Sequence, residues 1–202
     1  MPLQLVKSGA DGGAYQINNA KVRLFKEARE ILETEGLEAL SLRALANRVG
    51  ITPGAMYHHY DSKSALLAEL AVCGFDEMRA QFVGADAHAP IGGRLRAWAV
   101  AYVAFAARQP AFYSLMFDPR IGTAPQVRVA RERAFAALET LLASVVVQQA
   151  RESEPVDKIA VAVWAAAHGA ASLTINGGGE QLIHDVIRGL EDLYRPAPPI
   201  RA

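Results

Sequence analysis

The chain has one cysteine, no surplus of either charge and no stretch with a strand pattern, and each shortage narrows what it can be. A single thiol, Cys73, excludes an intrachain disulfide and removes any argument for an oxidising compartment. Set in a helical stretch with Leu66, Leu67 and Leu70, it reads as a packing residue rather than a redox sensor. Lys and Arg together number 21 and Asp and Glu together 21, so a highly basic architectural polymer binder is excluded. The opening MPLQLVKSGADGGAYQ lacks the continuous apolar run of a signal peptide, and a cytoplasmic location is expected. The most apolar segment, IAVAVWAAAHGAASLTI, is shorter than the roughly 20 residues of a membrane span. It is also built on alanine and carries His168, Ser172 and Thr174, so no membrane partner is expected. There is no phosphate loop, no dinucleotide fingerprint and no nucleophile–base–orienter set. His88, His168 and His184 lack ligand spacing to Cys or acidic partners. Catalytic residues, metal ligands and cofactors are therefore all expected to be absent.

What the chain does have is apolar residues, 51% of 202, arranged at helical spacing. That is enough for one core, or for two small ones sharing a helix, and the second arrangement is expected. A first helix spans about Asn19 to Glu35, with Val22, Phe25, Ala28, Ile31 and Leu32 on its inner face. A fourth begins near Ser62 and ends near Val83, before the link GADAHAPIGG. A fifth runs from about Arg94 to Arg108, and PAFYSLMF makes a short sixth after Gln109-Pro110. A loop around Gly122 precedes a long helix from about Ala124 to Ala150. Glu154-Pro155 opens the eighth, Gly177-Gly178-Gly179 closes it, and the ninth carries Leu182, Ile183, Val186, Ile187, Leu190 and Leu193 on one stripe. The expected class is all-α, with about nine helices.

Residues 41–63, SLRALANRVGITPGAMYHHYDSK, spell two short helices around a glycine turn. Ser41 can cap the first, Leu42, Leu45 and Val49 recur on one face, and Arg43, Asn47 and Arg48 are left outward. Gly50 suits a left-handed bend and Ile51 is an apolar peg. Thr52 then caps a second helix that has Pro53 at its first position. Gly54 and Ala55 let the start of that helix approach the floor of a DNA major groove, where bases are read. Tyr57, His58, His59 and Lys63 have the reach for phosphates on the groove walls. Arg43, Arg48 and Lys63 against Asp61 make this patch locally basic. The two histidines read as phosphate contacts rather than a metal or pH sensor. Glu27, Glu30, Glu33 and Glu35 with Lys26 and Arg29 read as a solvated helix face.

At these residues the chain resembles the TetR family of one-component bacterial transcriptional regulators. The resemblance covers about Ala20 to Ala71, and its specific part is the Gly-apolar-Thr-x-Gly-x-x-Tyr-x-x-aromatic string followed by Lys63. Thr52 stands where the family often has serine, and Tyr60 where it often has phenylalanine. Trp164-x-x-x-His168-Gly169, preceded by QPAFYSLMF, resembles the Trp-His-Gly signature of one group of TetR C-terminal domains. The resemblance implies a homodimer formed through the last two helices, double-stranded DNA with a pseudopalindromic operator as partner, and a small-molecule effector. The expected organisation is a flexible arm at 1–18, a three-helix helix-turn-helix DNA-binding domain at 19–66, an effector-binding and dimerisation domain at 67–195, and a tail at 196–202. Lys7 and Lys21 leave open a DNA-touching role for the arm.

Candidate DNA-contacting residues are thus Ser41, Arg43, Thr52, Pro53, Gly54, Ala55, Tyr57, His58, His59 and Lys63. The aromatic set Trp98, Tyr102, Phe105, Tyr113, Met116, Phe117 and Trp164, with His168, reads either as the lining of an effector pocket or as ordinary core. His168 in particular is either a ligand contact or a core histidine bonded across a helix pair. A repressor released by a mostly apolar or aromatic molecule, with the fourth helix transmitting the change, is the leading reading. The alternative is a DNA-bound organising protein of the same fold with no effector.

Overall fold

The computed structural model describes residues 11–90, 93–148, 155–177 and 181–193, and every regular element among them is a helix. In order these are α1 (Asp11–Glu35), α2 (Leu42–Val49), α3 (Pro53–His59), α4 (Lys63–His88), α5 (Arg94–Arg108), α6 (Pro110–Met116), α7 (Pro119–Gly122), α8 (Pro125–Gln148), α9 (Val156–Ile175) and α10 (Gln181–Leu193). The chain divides after Leu66 into two compact units, 1–66 and 67–202, and the division falls inside α4.

In the first unit, α1 buries Leu24, Ala28, Ile31 and Leu32, whose spacing of three and four residues draws one stripe along the helix. Val22, expected on that stripe, is 62% exposed. Two residues before Leu24, it sits about 200° around the helix, on the opposite side. The helix also starts at Asp11 rather than near Asn19. Extending a formed helix costs little per residue, and Gly12 and Gly13 fall in its first turn, where amide donors have no intrahelical acceptor anyway. Residues 1–10 of the expected arm lie outside the described residues, as does the tail at 196–202. Leu40, Leu45, Ala46, Met56 and Tyr60 complete the buried set around α2 and α3. Full burial of each large apolar side chain is worth about 1.5–3 kcal/mol.

In the second unit, α5 packs on α9, and α9 also packs against α8 and α10. Two rows of α5, Trp98, Tyr102, Phe105 and Ala99, Val103, Ala106, are buried, each at spacings of three and four. α9 buries Ala160, Val163, Ala167, Ala170 and Ala171, whose small side chains permit close helix approach. By length and composition α9 is apolar enough to cross a membrane, yet this face is spent on its own unit, while Val161 and Leu173 on the other side are 59% and 56% exposed. α4 and α6 pack tightly as well, since a Cβ at Gly74 would lie 2.5 Å from Met116 Sδ.

Two further boundaries depart from the sequence reading. α4 continues to His88, taking in the GADAH half of the expected link, and the His88 ring bonds the carbonyl of Gly84 one turn back. The expected loop near Gly122 holds the short helix α7, which starts at Pro119 and is capped by the Asp118 carboxylate accepting from the Arg120 amide at 2.8 Å. Cys73 is half-buried in α4. The predicted stripe of α10 is described at Leu182, Val186 and Ile187, of which Ile187 is 4% exposed. The side chains of Ile183, Leu190 and Leu193, and the residues Glu154, Gly178 and Gly179, lie outside the described part.

Candidate functional site

The turn between α2 and α3 is fixed by local bonds. Ser41 is extended, and its Oγ accepts from the Ala44 amide at 3.1 Å. At the other end of α2, Gly50 has φ 73°, a left-handed conformation that side chains disfavour, and the Ile51 amide closes back on the Ala46 carbonyl at 3.0 Å. Thr52 repeats the capping, its Oγ1 accepting from the Ala55 amide at 3.1 Å, with Pro53 at the first helical position. α3 is anchored from beneath by Met56 and Tyr60, which are buried. Its outer face therefore presents Pro53, Gly54, Tyr57, His58 and His59 to solvent, with Thr52 exposed at its start and Arg43 exposed on α2. Tyr57 is 56% exposed, which for an aromatic on a seven-residue helix marks a surface rather than a core.

Three predicted positions have surroundings that the sequence did not show. Ala55 is half-buried and lines a hollow of about 80 Å3 with Arg23, Leu24, Val49, Ile51 and His59. Lys63 is half-buried, and its Nζ donates to the Leu37 carbonyl at 2.8 Å, which holds the start of α4 to the loop after α1. Arg48, counted above in the basic patch, pairs with Glu35 and lies 3.9 Å from Glu27 and 3.8 Å from Glu30. The acids of α1 are thus partly committed to one arginine, and the positive charge beside α3 comes from Arg23, Arg43 and Lys63. Arg23, which the sequence did not single out, donates to the Val49 carbonyl at 3.2 Å and so satisfies the end of α2.

The second unit gathers Trp98, Tyr102, Tyr113, Phe117, Trp164 and His168 of the predicted set into one cluster of rings, while Phe105 has no ring contact among the described residues. Trp98, Tyr102, Phe105, Tyr113 and Met116 are buried, while Phe117, Trp164 and His168 are half-buried. Phe82 of α4, missed in the sequence, joins it, its ring stacked 5.8 Å from Tyr102 and tilted 4.9 Å from Trp98. The polar tips converge: Tyr113 Oη lies 2.6 Å from His168 Nδ1 and 3.1 Å from Tyr102 Oη. Burial lowers the His168 pKa below its ordinary value, favouring the neutral ring, whose Nδ1 accepts the Tyr113 proton when the ring proton is on Nε2. Burial likewise pushes both tyrosines up, so they remain protonated donors. Nε2 of His168 has no hydrogen-bond partner among the described residues. The indole N–H of Trp98 is also buried without an acceptor among them, at a cost of about 1–3 kcal/mol.

Two larger hollows open in this unit. A groove of about 600 Å3 between α8 and α9 has Phe135, Val161 and Trp164 on its walls, with Arg131, Glu132 and Glu139 beside them. A cavity of about 340 Å3 among α4, α5 and α8 is lined by Phe82, Trp98 and Leu141, and by the polar Asp86, Arg94, Thr140 and Ser144. Of the predicted pocket residues, these hollows share only Trp98 and Trp164. Among the described residues, no group of three or more His, Cys, Asp or Glu is placed to hold a metal ion.

A capped, glycine-turned helix pair with a short exposed second helix defines a helix-turn-helix protein. The profile described as "Bacterial regulatory proteins, tetR family" matches residues 24–70, and that described as "Tetracyclin repressor-like, C-terminal domain" matches residues 95–195. The chain belongs to the TetR family, whose members are transcriptional regulators and not enzymes. It is 33% identical over 86 residues to the HTH-type regulator YobS of Bacillus subtilis, a match covering 43% of this chain and 45% of that one. The chain thus spans less than half the length of that curated relative. Among solved structures, a protein of unknown function from Rhodococcus aligns over 87% of this chain and 94% of its own, with TM-score 0.74 and 28% identity. The TetR-family regulator PfmR of Thermus thermophilus aligns over 85% and 96%, with TM-score 0.60 and 25% identity.

Proposed function

We propose that the chain is a sequence-specific DNA-binding transcriptional regulator that acts as a homodimer and releases its operator on binding a small molecule. The observation that carries the reading is α3: doubly fixed by Thr52 at its start and by buried Met56 and Tyr60 beneath, it holds Gly54, Tyr57, His58 and His59 outward. Rigid presentation of a short helix end is what base reading in a major groove requires. In this reading Pro53, Gly54 and Ala55 approach the bases, while Ser41, Arg43, Thr52, Tyr57, His58, His59 and Lys63 serve the phosphates.

Dimerisation is supported by α9, where Val161 and Leu173 are exposed outside its buried alanine face, about 120° apart round the helix. Apolar side chains left in solvent on a helix otherwise spent on the core are available to a second subunit. Effector response is supported by the cavities beside the aromatic cluster of the second unit, and by α4, which begins in the first unit and continues through the second. A ligand acts on the operator only through a difference in its affinity for the DNA-competent and DNA-free conformations.

The test is selection of bound sequences from random duplex DNA with the purified chain at moderate salt. Recovery of a pseudopalindrome supports a dimeric sequence-specific regulator. A folded dimer that enriches no sequence overturns the specific-operator reading and favours the organising protein without an effector.

A further inference from the structure

The cavity among α4, α5 and α8 holds a polar cluster that neither the helix-turn-helix nor the Tyr–His network uses. The Arg94 guanidinium makes a two-bond pair with the carboxylate of Asp86, and its Nη1 donates to Ser144 Oγ at 2.8 Å. Ser144 is itself fixed, its hydroxyl donating to the Leu141 carbonyl at 2.6 Å. A guanidinium has five N–H donors in a rigid fork. Three are engaged by Asp86 and Ser144, so among the described residues two have no acceptor, one on each terminal nitrogen. Arg94 and Asp86 side chains are 19% and 25% exposed, and both line the cavity. Phe82, Trp98 and Leu141 supply the apolar walls. At about 340 Å3 the space falls at the lower end of the range of small-molecule sites.

We propose that this cavity binds a neutral, mainly apolar small molecule through a carbonyl-type acceptor, an ester, ketone or lactone oxygen, received by the two free N–H groups of Arg94. The proposal rests on the effector-responsive reading above and places the ligand at this cavity. Neutrality follows from Asp86. Its carboxylate already compensates the Arg94 charge, so an incoming anion would gain one cation and meet one anion in a partly desolvated space. A carbonyl oxygen takes the same two donors without that repulsion. Asp86 is in this sense a positioning and specificity residue: it holds the fork at a fixed angle and discriminates against acids.

The experiment is calorimetric titration of the full chain at neutral pH with matched probes, methyl 2-naphthoate against 2-naphthoate and methyl cinnamate against cinnamate. The esters should bind and the acids bind at least about tenfold more weakly, in line with repulsion between an incoming carboxylate and Asp86 beside the same guanidinium. Arg94→Met should weaken ester binding by about tenfold or more. Asp86→Asn, which keeps shape and removes the charge, should raise affinity for the acids and erase the preference. This last arm reads specificity and not folding, so it stands even where Arg94→Met is poorly folded. Acids binding as well as esters, no binding by either class, or ester affinity unchanged in both variants each overturns the proposal. An ester that releases DNA but ignores Arg94 and Asp86 overturns this site while retaining effector response. An ester that needs Arg94 but leaves DNA affinity unchanged supports the site and overturns effector response.

Discussion

The reading element of the first unit is assembled from near neighbours, while the polar centre of the second is assembled from strangers. Ser41 bonds the amide of Ala44 and Thr52 that of Ala55, each three residues on. Tyr113 instead meets Tyr102 across 11 residues and His168 across 55. The first kind of contact forms wherever its few residues occur, so the surface it shapes is nearly independent of the rest of the fold. The second exists only once α5, α6 and α9 are packed, so its chemistry depends on core volume. Mutations should therefore separate along this line, with the reading surface sensitive in binding and tolerant in stability, and the polar centre the reverse.

The largest effect tests the floor beneath the reading surface. Met56→Ala removes a fully buried side chain and should cost about 2–5 kcal/mol of unfolding free energy in denaturant titration, with DNA binding lost alongside. A smaller cost would show that α3 is held by its caps alone.

Tyr113→Phe comes next. It strips the donor from His168 and a partner from Tyr102, and should cost about 1–3 kcal/mol while leaving DNA affinity in the absence of effector close to the original. The same network predicts a pH dependence. Burial holds the folded His168 pKa below its ordinary value of 6.5. As pH falls through 6.5 the unfolded chain takes a proton that the folded ring refuses, so this contribution is fully present above 6.5 and declines below it until the folded ring titrates. Urea unfolding across pH should show that decline in the original chain and lose it in His168→Gln. An identical pH profile in the two would remove His168 from the account.

Arg48→Gln sharpens the comparison from the charge side. Its side chain is 36% exposed, so stability should change by no more than about 1 kcal/mol. Glu27, Glu30 and Glu35 would lose their shared cation, and DNA affinity should fall at low salt and recover toward the original as salt rises. The smallest stability effect belongs to Tyr57→Ala, within about 0.5 kcal/mol, combined with weaker binding to every DNA sequence. Unchanged DNA affinity there would refute the proposed docking of α3.

Much of the first unit was legible because its signals are short. Gly50, Thr52-Pro53 and the buried spacing of Leu42, Leu45 and Val49 each act within one or two turns of chain. Arg48 was misread because its partners lie on α1, 13 and more residues earlier, and no periodicity marks an ion pair between helices. Val22 was assigned to the inner face of a helix whose buried stripe, Leu24 to Leu32, is evident only when the buried side is known. The pairing of Asp86 with Arg94 was not legible, since the glycines and proline between them suggested a link while Asp86 in fact belongs to the last turns of α4.

Composition and local pattern alone determined that the chain is helical, that its reading helix starts at Pro53 after a glycine turn, and that it resembles TetR regulators, because helix starts, stops and amphipathic stripes are governed by residues within a few positions of one another. Which aromatic rings became solid core, which residues enclose a cavity, and which arginine meets an aspartate and a serine were settled only by packing. Those properties arise from the volumes and charges of side chains that the sequence separates and the fold alone brings together.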